Sequence, residues 1–514
     1  MGRCACKHSS YKTPLTAHPP MLAAPLFVHV GQCGVQLGKE FWDLSAQLYG
    51  TQEESLFEAE RGTPRAFFLD SEPKVVAPLR NKPNGKHYHI VHDRSGRGNC
   101  WAMGFNGLKR DLQTTAWSTA WDAEIDSLQG KCLNEVRRML EREENRIASL
   151  IWTTSMAGGT GSGLTSRLLR DLRDSYPKMY MAAAAVWPFS VGEIALQHYN
   201  TVLTLAHLQE YTDAIIMLDN DTLRQGVQAA ATQAVKAGWM QQRSTSSNRG
   251  GGGDKSGYSA SMTEMNRIAS LCLTGLLGPE APGVPFDFGE FQTNVTPMPA
   301  IKCAEIACIT DEISQFRYLF PGEAKKSLGQ SRRLLNHVAH EGEGELSEQW
   351  IKRLKTSGLY PKYDPAHKVA LSLLAQCSWR QWRTSSSSTV PSLRAAELRR
   401  MLQPLVVPVL WNPHPLDILP PFHFQVTPES AASTKGGMVH LHQQMTLVSN
   451  RSTLIPLLLH SVRRVHACYR VRAYFHWFQQ YGCSEAYMED SMETVKQMIA
   501  DYSDIFSYDL ASLS

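Results

Sequence analysis

The chain has 514 residues, a formal net charge of +4, and 43% hydrophobic and 19% charged residues. This composition excludes a wholly disordered chain, and the length exceeds what one hydrophobic core usually serves, so two or three domains are expected. The small net charge, with short basic patches such as Arg137-Arg138 and Arg463-Arg464, predicts no nucleic-acid partner, which would need a concentrated basic stripe. Eleven cysteines include no Cys-x-x-Cys pair, and Cys4-Ala5-Cys6 is too isolated to claim a metal, so free thiols in a reducing compartment are expected. The longest apolar run, 179–189, is too short for a membrane span.

Residues 1–24 carry Pro14, Pro19 and Pro20 and no secretory apolar stretch; they read as a disordered extension, with Met21 an alternative start. A strand is predicted at 26–30, followed at once by Gly31-Gln32-Cys33-Gly34 and then by a helix with Leu37, Phe41, Leu44 and Leu48 on one face. A second strand, 66–69, delivers Asp70 and Glu72 at its carboxyl end. A short strand at 88–91 leads into Gly96-Arg97-Gly98-Asn99-Cys100-Trp101, and an amphipathic helix follows at 125–140. Strands at 147–152, 181–186 and 213–218 continue the alternation with helices. The repeated strand–loop–helix order argues for a mostly parallel sheet covered by helices. Ligands of such sheets bind outside the carboxyl ends of the strands, where these polar loops can converge.

The run Ser155-Met156-Ala157-Gly158-Gly159-Thr160-Gly161-Ser162-Gly163-Leu164 lies between the 147–152 strand and a helix at 164–172. Glycines let backbone N–H groups turn around an anion, and a helix start adds free donors, so the run reads as a phosphate cradle. It is neither a P-loop nor a Gly-x-Gly-x-x-Gly turn. A glycine-rich surface turn would have the same composition; the second glycine turn at 31–34 weighs against it. Gly161→Val is expected to abolish binding by filling the space the phosphates need.

Residues 243–257 are low-complexity and predict a flexible insert. A helix is expected at 262–277, then short strands and loops to about 450, with a second polar insert at 371–390 containing Ser385-Ser386-Ser387-Ser388. Two long helices are expected at 452–478 and 484–502, the second with an apolar stripe (Tyr487, Met488, Met492, Val495, Met498, Ile499) that covers the body of the protein.

Taken together, Gly31-Gln32-Cys33-Gly34, Leu69-Asp70-Ser71-Glu72-Pro73, Gly98-Asn99-Cys100-Trp101-Ala102-Met103-Gly104 and Ala157-Gly158-Gly159-Thr160-Gly161-Ser162-Gly163 resemble the tubulin family in order and spacing, from about residue 26 to 508. Ala157, Val186-Trp187-Pro188-Phe189 and Gly192-Glu193 resemble the delta-tubulin branch most. The resemblance implies a tubulin-like α/β fold: a disordered extension (1–24), a parallel-sheet GTP-binding domain (25–242), a flexible insert (243–260), a core connecting helix (261–280), an intermediate α/β domain (281–450) and a C-terminal helical hairpin (451–514).

It further implies GTP or GDP with Mg²⁺. Gly31, Gln32 and Cys33 would lie under the phosphates, Asn99 by the terminal phosphate, and Gly158, Gly159, Thr160, Gly161 and Ser162 would form the signature loop. Asn220 and Asn266 would hold the guanine edge, since an amide both donates and accepts. Asp70 and Glu72 would stand near the magnesium ion, largely through water. On residue type alone, the two asparagines read as caps or turn residues and the two acids as surface carboxylates. Gln197 stands where the common tubulins have a ribose-contacting glutamate, Cys100 where they have an asparagine and Met262 where a tyrosine stacks on guanine, which predicts weaker nucleotide binding.

Gly289-Glu290-Phe291-Gln292-Thr293-Asn294 resembles the segment whose glutamate acts on the neighbouring subunit's nucleotide, so Glu290 would be catalytic across a contact. By residue type it is a surface glutamate. The function implied is a centriole or basal-body cytoskeletal protein, in the cytoplasm or cilium, with weak GTPase activity completed on assembly. Its partners would be other tubulins or itself through longitudinal contacts, and centriole or basal-body components. The alternative is a GTP-binding structural protein with little or no hydrolysis. A nicotinamide-dependent enzyme is disfavoured, because Gly31-Gln32-Cys33-Gly34 lacks the required spacing. The chain also ends without the acidic tail of the common tubulins, so tail-reading partners are not expected.

Overall fold

In the computed structural model the described residues are 23–58, 62–80, 88–107, 127–142, 147–191, 194–241, 258–328, 352–354, 356–357, 369–382, 395–419, 422–426 and 443–506. Of the extension expected over 1–24, residues 1–22 lie outside them, while Ala24 already belongs to a strand. The insert at 243–257, the serine run at 385–388 and the residues after 506 also lie outside them.

The strands are β1 (Ala24–Val30), β2 (Ala66–Asp70), β3 (His89–His92), β4 (Ile147–Ser155), β5 (Tyr180–Trp187), β6 (Ala214–Asp219), β7 (Cys303–Thr310), β8 (Val369–Trp382), β9 (Val407–Pro408), β10 (Leu416–Ile418), β11 (Phe422–Val426) and β12 (Gln443–Arg451). They form one sheet in the order β10-β8-β12-β7-β6-β5-β4-β1-β2-β3, with β9 and β11 also paired to β8. From β3 to β7 every pairing is parallel. β12 runs antiparallel to both β7 and β8. The first half therefore has the predicted character, and its chain order reverses between β1 and β4.

Strand alternation splits the core into two layers. Phe27, Ala182 and Ala184 face one layer, with helices Gly31–Tyr49, Asn220–Lys236 and Met262–Leu277. Leu26, Val28, Met181 and Ala183 face the other, with helices Leu128–Arg142, Thr165–Ser175, Gln197–Tyr211, Leu454–Arg470 and Glu485–Phe506. The Met262–Leu277 helix has the predicted bounds and opens on a capping box between Ser261 and Glu264.

Two expectations are corrected. The polar insert expected at 371–390 is, as far as 382, strand β8 in the interior of the sheet. Pairing with β12 satisfies its backbone, and buried Ser372 donates its hydroxyl proton to Val295 O at 3.0 Å, so polar composition does not prevent burial here. The long helix expected at 452–478 is broken into Leu454–Arg470 and Phe475–Gln480. Arg472 (φ 51°) and Tyr474 (φ 59°) sit in the left-handed region, uncommon for such side chains. The turn seats Phe475 and Phe478 in the core, Phe478 with its ring 5.2 Å from that of Tyr199. The predicted stripe of the last helix is buried at Met488, Met492, Val495, Met498 and Ile499.

Candidate functional site

The carboxyl ends of all six N-terminal strands open into one cavity of about 440 Å³. β1 supplies Gly31, Gln32, Cys33 and Gln36; β2 supplies Asp70, Glu72 and Val75; the loop after β3 supplies Arg97, Gly98 and Asn99. β4 leads to Ser155 and Ala157 through Gly161, β5 to Pro188, Phe189, Ile194 and Gln197, and β6 to Asn220. Met262, Met265 and Asn266 close it from the following helix. The order reversal between adjacent β1 and β4 places the crevice where open parallel sheets bind ligands.

Glycine is required here by close backbone approach. Gly31 has φ +74° at the start of its helix, and a Cβ there would lie 2.7 Å from Gly161 N and Cα. Gly159 and Gly163 would likewise strike the backbone of Arg97 and Trp101, so the turn after β4 and the 97–104 loop interlock. A Cβ on Gly158 would meet nothing. A Cβ on Gly161 would press on Ser155 O at 3.2 Å, into the protein beneath the loop. The expectation that valine at 161 would fill the phosphate space is thus corrected, since its side chain would wedge the loop from below. The turn itself, Gly159–Leu164, is a wide π-type turn running into the Thr165–Ser175 helix.

The polar groups are held in pairs. Ser71 and Thr160 hydroxyls share a hydrogen bond of 2.6 Å, joining the β2 and β4 loops. Ser162 is buried and turns its hydroxyl back to Gly158 O, so its side chain is not part of the cavity wall. Asp70 is buried and accepts from Glu72 N at 2.8 Å. Burial, with the neighbouring Glu72 carboxylate adding to it, pushes the Asp70 carboxyl up to about 6. Glu72 pairs with exposed Lys74 at 2.6 Å. Burial also pushes the Cys33 thiol up to about 12, keeping it neutral. Gln197 donates through Nε2 to Phe189 O at 3.0 Å.

Asn220 opens the Asn220–Lys236 helix, whose N-cap Asp219 accepts from Thr222 N at 2.9 Å. Met262 is 52% exposed and Met265 buried, giving that part of the wall a soft apolar character. Glu290 is absent from the cavity lining: it is exposed on the first turn of helix Phe288–Val295, its N–H donating to Asp287 Oδ1 at 3.1 Å.

Sequence reasoning missed several wall residues. Arg97, buried and 3.2 Å from Asp93 Oδ2, puts a guanidinium at the glycine end; its signal was its place inside a glycine loop. Gln36, Val75 and Met265 face the cavity from helical turns and leave no motif. Phe189 carries the Arg224 guanidinium 5.4 Å over its ring, and Asp221 holds Arg224 at 2.9 Å.

Residues 26–228 match the sequence profile described as Tubulin/FtsZ family, GTPase domain. The fold is tubulin-like. Among curated proteins, this chain is similar to the tubulin gamma chain of Eremothecium gossypii, with 30% identity over 222 residues, 38% of this chain and 43% of that one. The match therefore spans less than half of that relative's length. It also overturns the expected placement in the delta branch, because the named relative is a gamma chain. The motifs quoted for the resemblance lie in loops that any tubulin-like site needs, so they fix the fold without fixing the branch.

Proposed function

We propose that this tubulin-like chain binds a guanine nucleotide in the cavity at the strand ends. The observation that carries the reading is the convergence of six strand ends on about 440 Å³, within the ~300–1,000 Å³ of small-molecule sites, around turns where Gly31, Gly159 and Gly163 admit no side chain. Backbone N–H groups of Gly158, Gly159, Thr160 and Gly161, with Gly31, Gln32 and Cys33, hold the phosphates, and Asn99 stands at the terminal one. Arg97 adds positive charge to that end. Asn220 and Asn266 hold the guanine edge, Gln197 the ribose, and Met262 with Phe189 the base faces.

Asp70 and Glu72 suit a magnesium ion: two hard carboxylates, one raised in pKa by burial and its acidic neighbour, gain from a divalent charge. Among the described residues no group of three His, Cys, Asp or Glu side chains could ligate a metal; Asp70 and Glu72 would hold the ion together with nucleotide phosphate and water. When bound, the ion neutralises charge developing on the phosphates.

Turnover, in this reading, is weak and needs assembly. Exposed Glu290 lies outside its own cavity and serves as base or orienting group for a water at the nucleotide of a neighbouring tubulin or second copy. The second reading is a nucleotide-binding structural protein without turnover, supported by the same position of Glu290. The setting is cytoskeletal; a centriole or basal-body role rested on the delta branch and goes with it.

The test is equilibrium binding of fluorescent GTP with ATP as competitor, then phosphate release alone and with tubulin added. GTP-selective binding supports the reading, and equal competition by ATP sinks it. Turnover that rises on assembly and falls roughly a hundredfold in Glu290→Ala, about what a positioned general base supplies, favours hydrolysis. Unchanged turnover in that variant favours the structural reading.

A further inference from the structure

Asn200 is fully buried on the Gln197–Tyr211 helix, and each polar atom of its carboxamide is used. Nδ2 donates to Asn99 O at 2.7 Å and to Ala157 O at 2.6 Å, while Oδ1 accepts from Trp101 N at 2.9 Å. These three backbone groups belong to two loops, the one after β3 and the one after β4, and Asn99 and Ala157 both line the cavity. Asn99 sits in the left-handed region at φ 52°, following Gly98 at the same angle, a backbone that needs outside support. Behind it, Trp101 is buried with its indole N–H donating to Ser166 Oγ at 3.1 Å.

We infer that Asn200 is a positioning residue for the phosphate end of the site, and the inference rests on the guanine-nucleotide reading above. Its single carboxamide fixes the distance between the Asn99 loop and the Ala157 turn. The side chain of Asn99 and the N–H groups of the turn can then meet one polyphosphate without the cost of ordering two loops at the moment of binding. No other common side chain of this size both donates twice and accepts. An aspartate is the same shape but turns an acceptor toward two carbonyl oxygens, and so pushes the loops apart. The residue touches no ligand itself. Its effect is largest on the phosphate that needs both loops, the terminal one.

The experiment compares GTP and GDP binding to full-length wild type, Asn200→Asp and Asn200→Ser, with thermal unfolding of each protein free of nucleotide. In both variants GTP affinity is expected to fall about tenfold, the equivalent of one net hydrogen bond, with GDP affinity falling much less. The serine is small enough to leave room for a bridging water, so it separates loss of geometry from the charge of the aspartate. Equal losses for GTP and GDP, or none, would overturn the inference. Failure of both variants to fold would overturn it as well, by making Asn200 a determinant of the fold rather than of the site. A wild type that binds neither nucleotide strikes the proposed function instead, and the wild-type titration tells the two failures apart.

Discussion

Strands β1 to β6 and the trio β7, β12 and β8 share one sheet, and among the described residues it is the first group whose polar loops line a cavity of ligand size. The reason is direction. Parallel neighbours need crossovers, so each strand of the first group opens its carboxyl end on the same edge of the sheet. β12 runs against both neighbours, so strand ends in the second group are divided between the two edges. Its buried polar residues, such as Ser372 and Asn450, are spent on backbone carbonyls at Val295 and Ile301. Residue type thus matters less than which edge of the sheet a loop emerges from.

The strongest test of that comparison is Gly31→Val. The substitution combines a positive φ with a Cβ against Gly161, so it is expected to abolish measurable nucleotide binding, a loss of about a hundredfold or more if two loop contacts go. Titration with fluorescent GTP checks it, and normal affinity in a folded variant would break the reading of the glycine crevice. Next in size, Asn266→Ala and Asn220→Ala are each expected to weaken GTP about tenfold, at ~1–3 kcal/mol for a desolvated hydrogen bond. Unchanged affinity in both would remove the guanine-recognition role.

A smaller effect concerns pH. The Asp70 carboxyl stands at about 6, above its ordinary 3.8, so the nucleotide-free fold takes up a proton that the unfolded chain does not. Stability of the empty protein is therefore expected to rise as pH falls from about 6 toward 3.8 and to be lower once the carboxylate forms. Binding of a magnesium–nucleotide complex has the opposite sign, since the cation needs the carboxylate. Affinity is expected to weaken as pH drops through about 6, and Asp70→Asn to flatten that step. Calorimetric melting and binding titrations from pH 5 to pH 7.5 would read both slopes (about the range in which this group titrates); identical slopes in the variant would exclude Asp70. Smallest of all is the expected effect of Leu447→Ala on affinity. Leu447 is buried in β12, so its loss costs stability, by ~2–5 kcal/mol for a core leucine, while GTP affinity stays unchanged. A matching loss of affinity would mean the antiparallel half shapes the site after all.

Much of the site was legible in the chain. Strand–glycine–helix order announces itself locally, because the apolar run, the glycine turn and the helix start are consecutive in sequence. Gly31 and Gly158 could thus be singled out from the chain, Asp70 from its place at a strand's carboxyl end and Asn99 from the family resemblance, and all four line one cavity. Gln197, Asn220 and Asn266 came only from the family resemblance, and they line the same cavity. Arg97 and Asn200 were harder. An arginine in a glycine loop is ordinarily solvated, and an asparagine in a helix is ordinarily a surface residue; burial distinguishes Arg97, and burial with three backbone partners distinguishes Asn200.

What the sequence determined by itself is what short-range physics controls: where apolar runs make strands, where glycines permit sharp turns, and the capped Met262–Leu277 helix, whose Ser261 and Glu264 lie three residues apart. Tertiary structure decided the rest. It turned a stretch that reads as polar into interior strand β8, because neighbours on both sides satisfy its backbone. It broke the 452–478 helix at Arg472 and Tyr474, where seating Phe475 and Phe478 in the core outweighs the strain of two left-handed residues. It also pointed Gly161 into the protein and Gly158 toward open space, a distinction invisible in a run of glycines. Each of these depends on atoms far away in the chain, and a sequence carries no direct record of which distant groups will arrive.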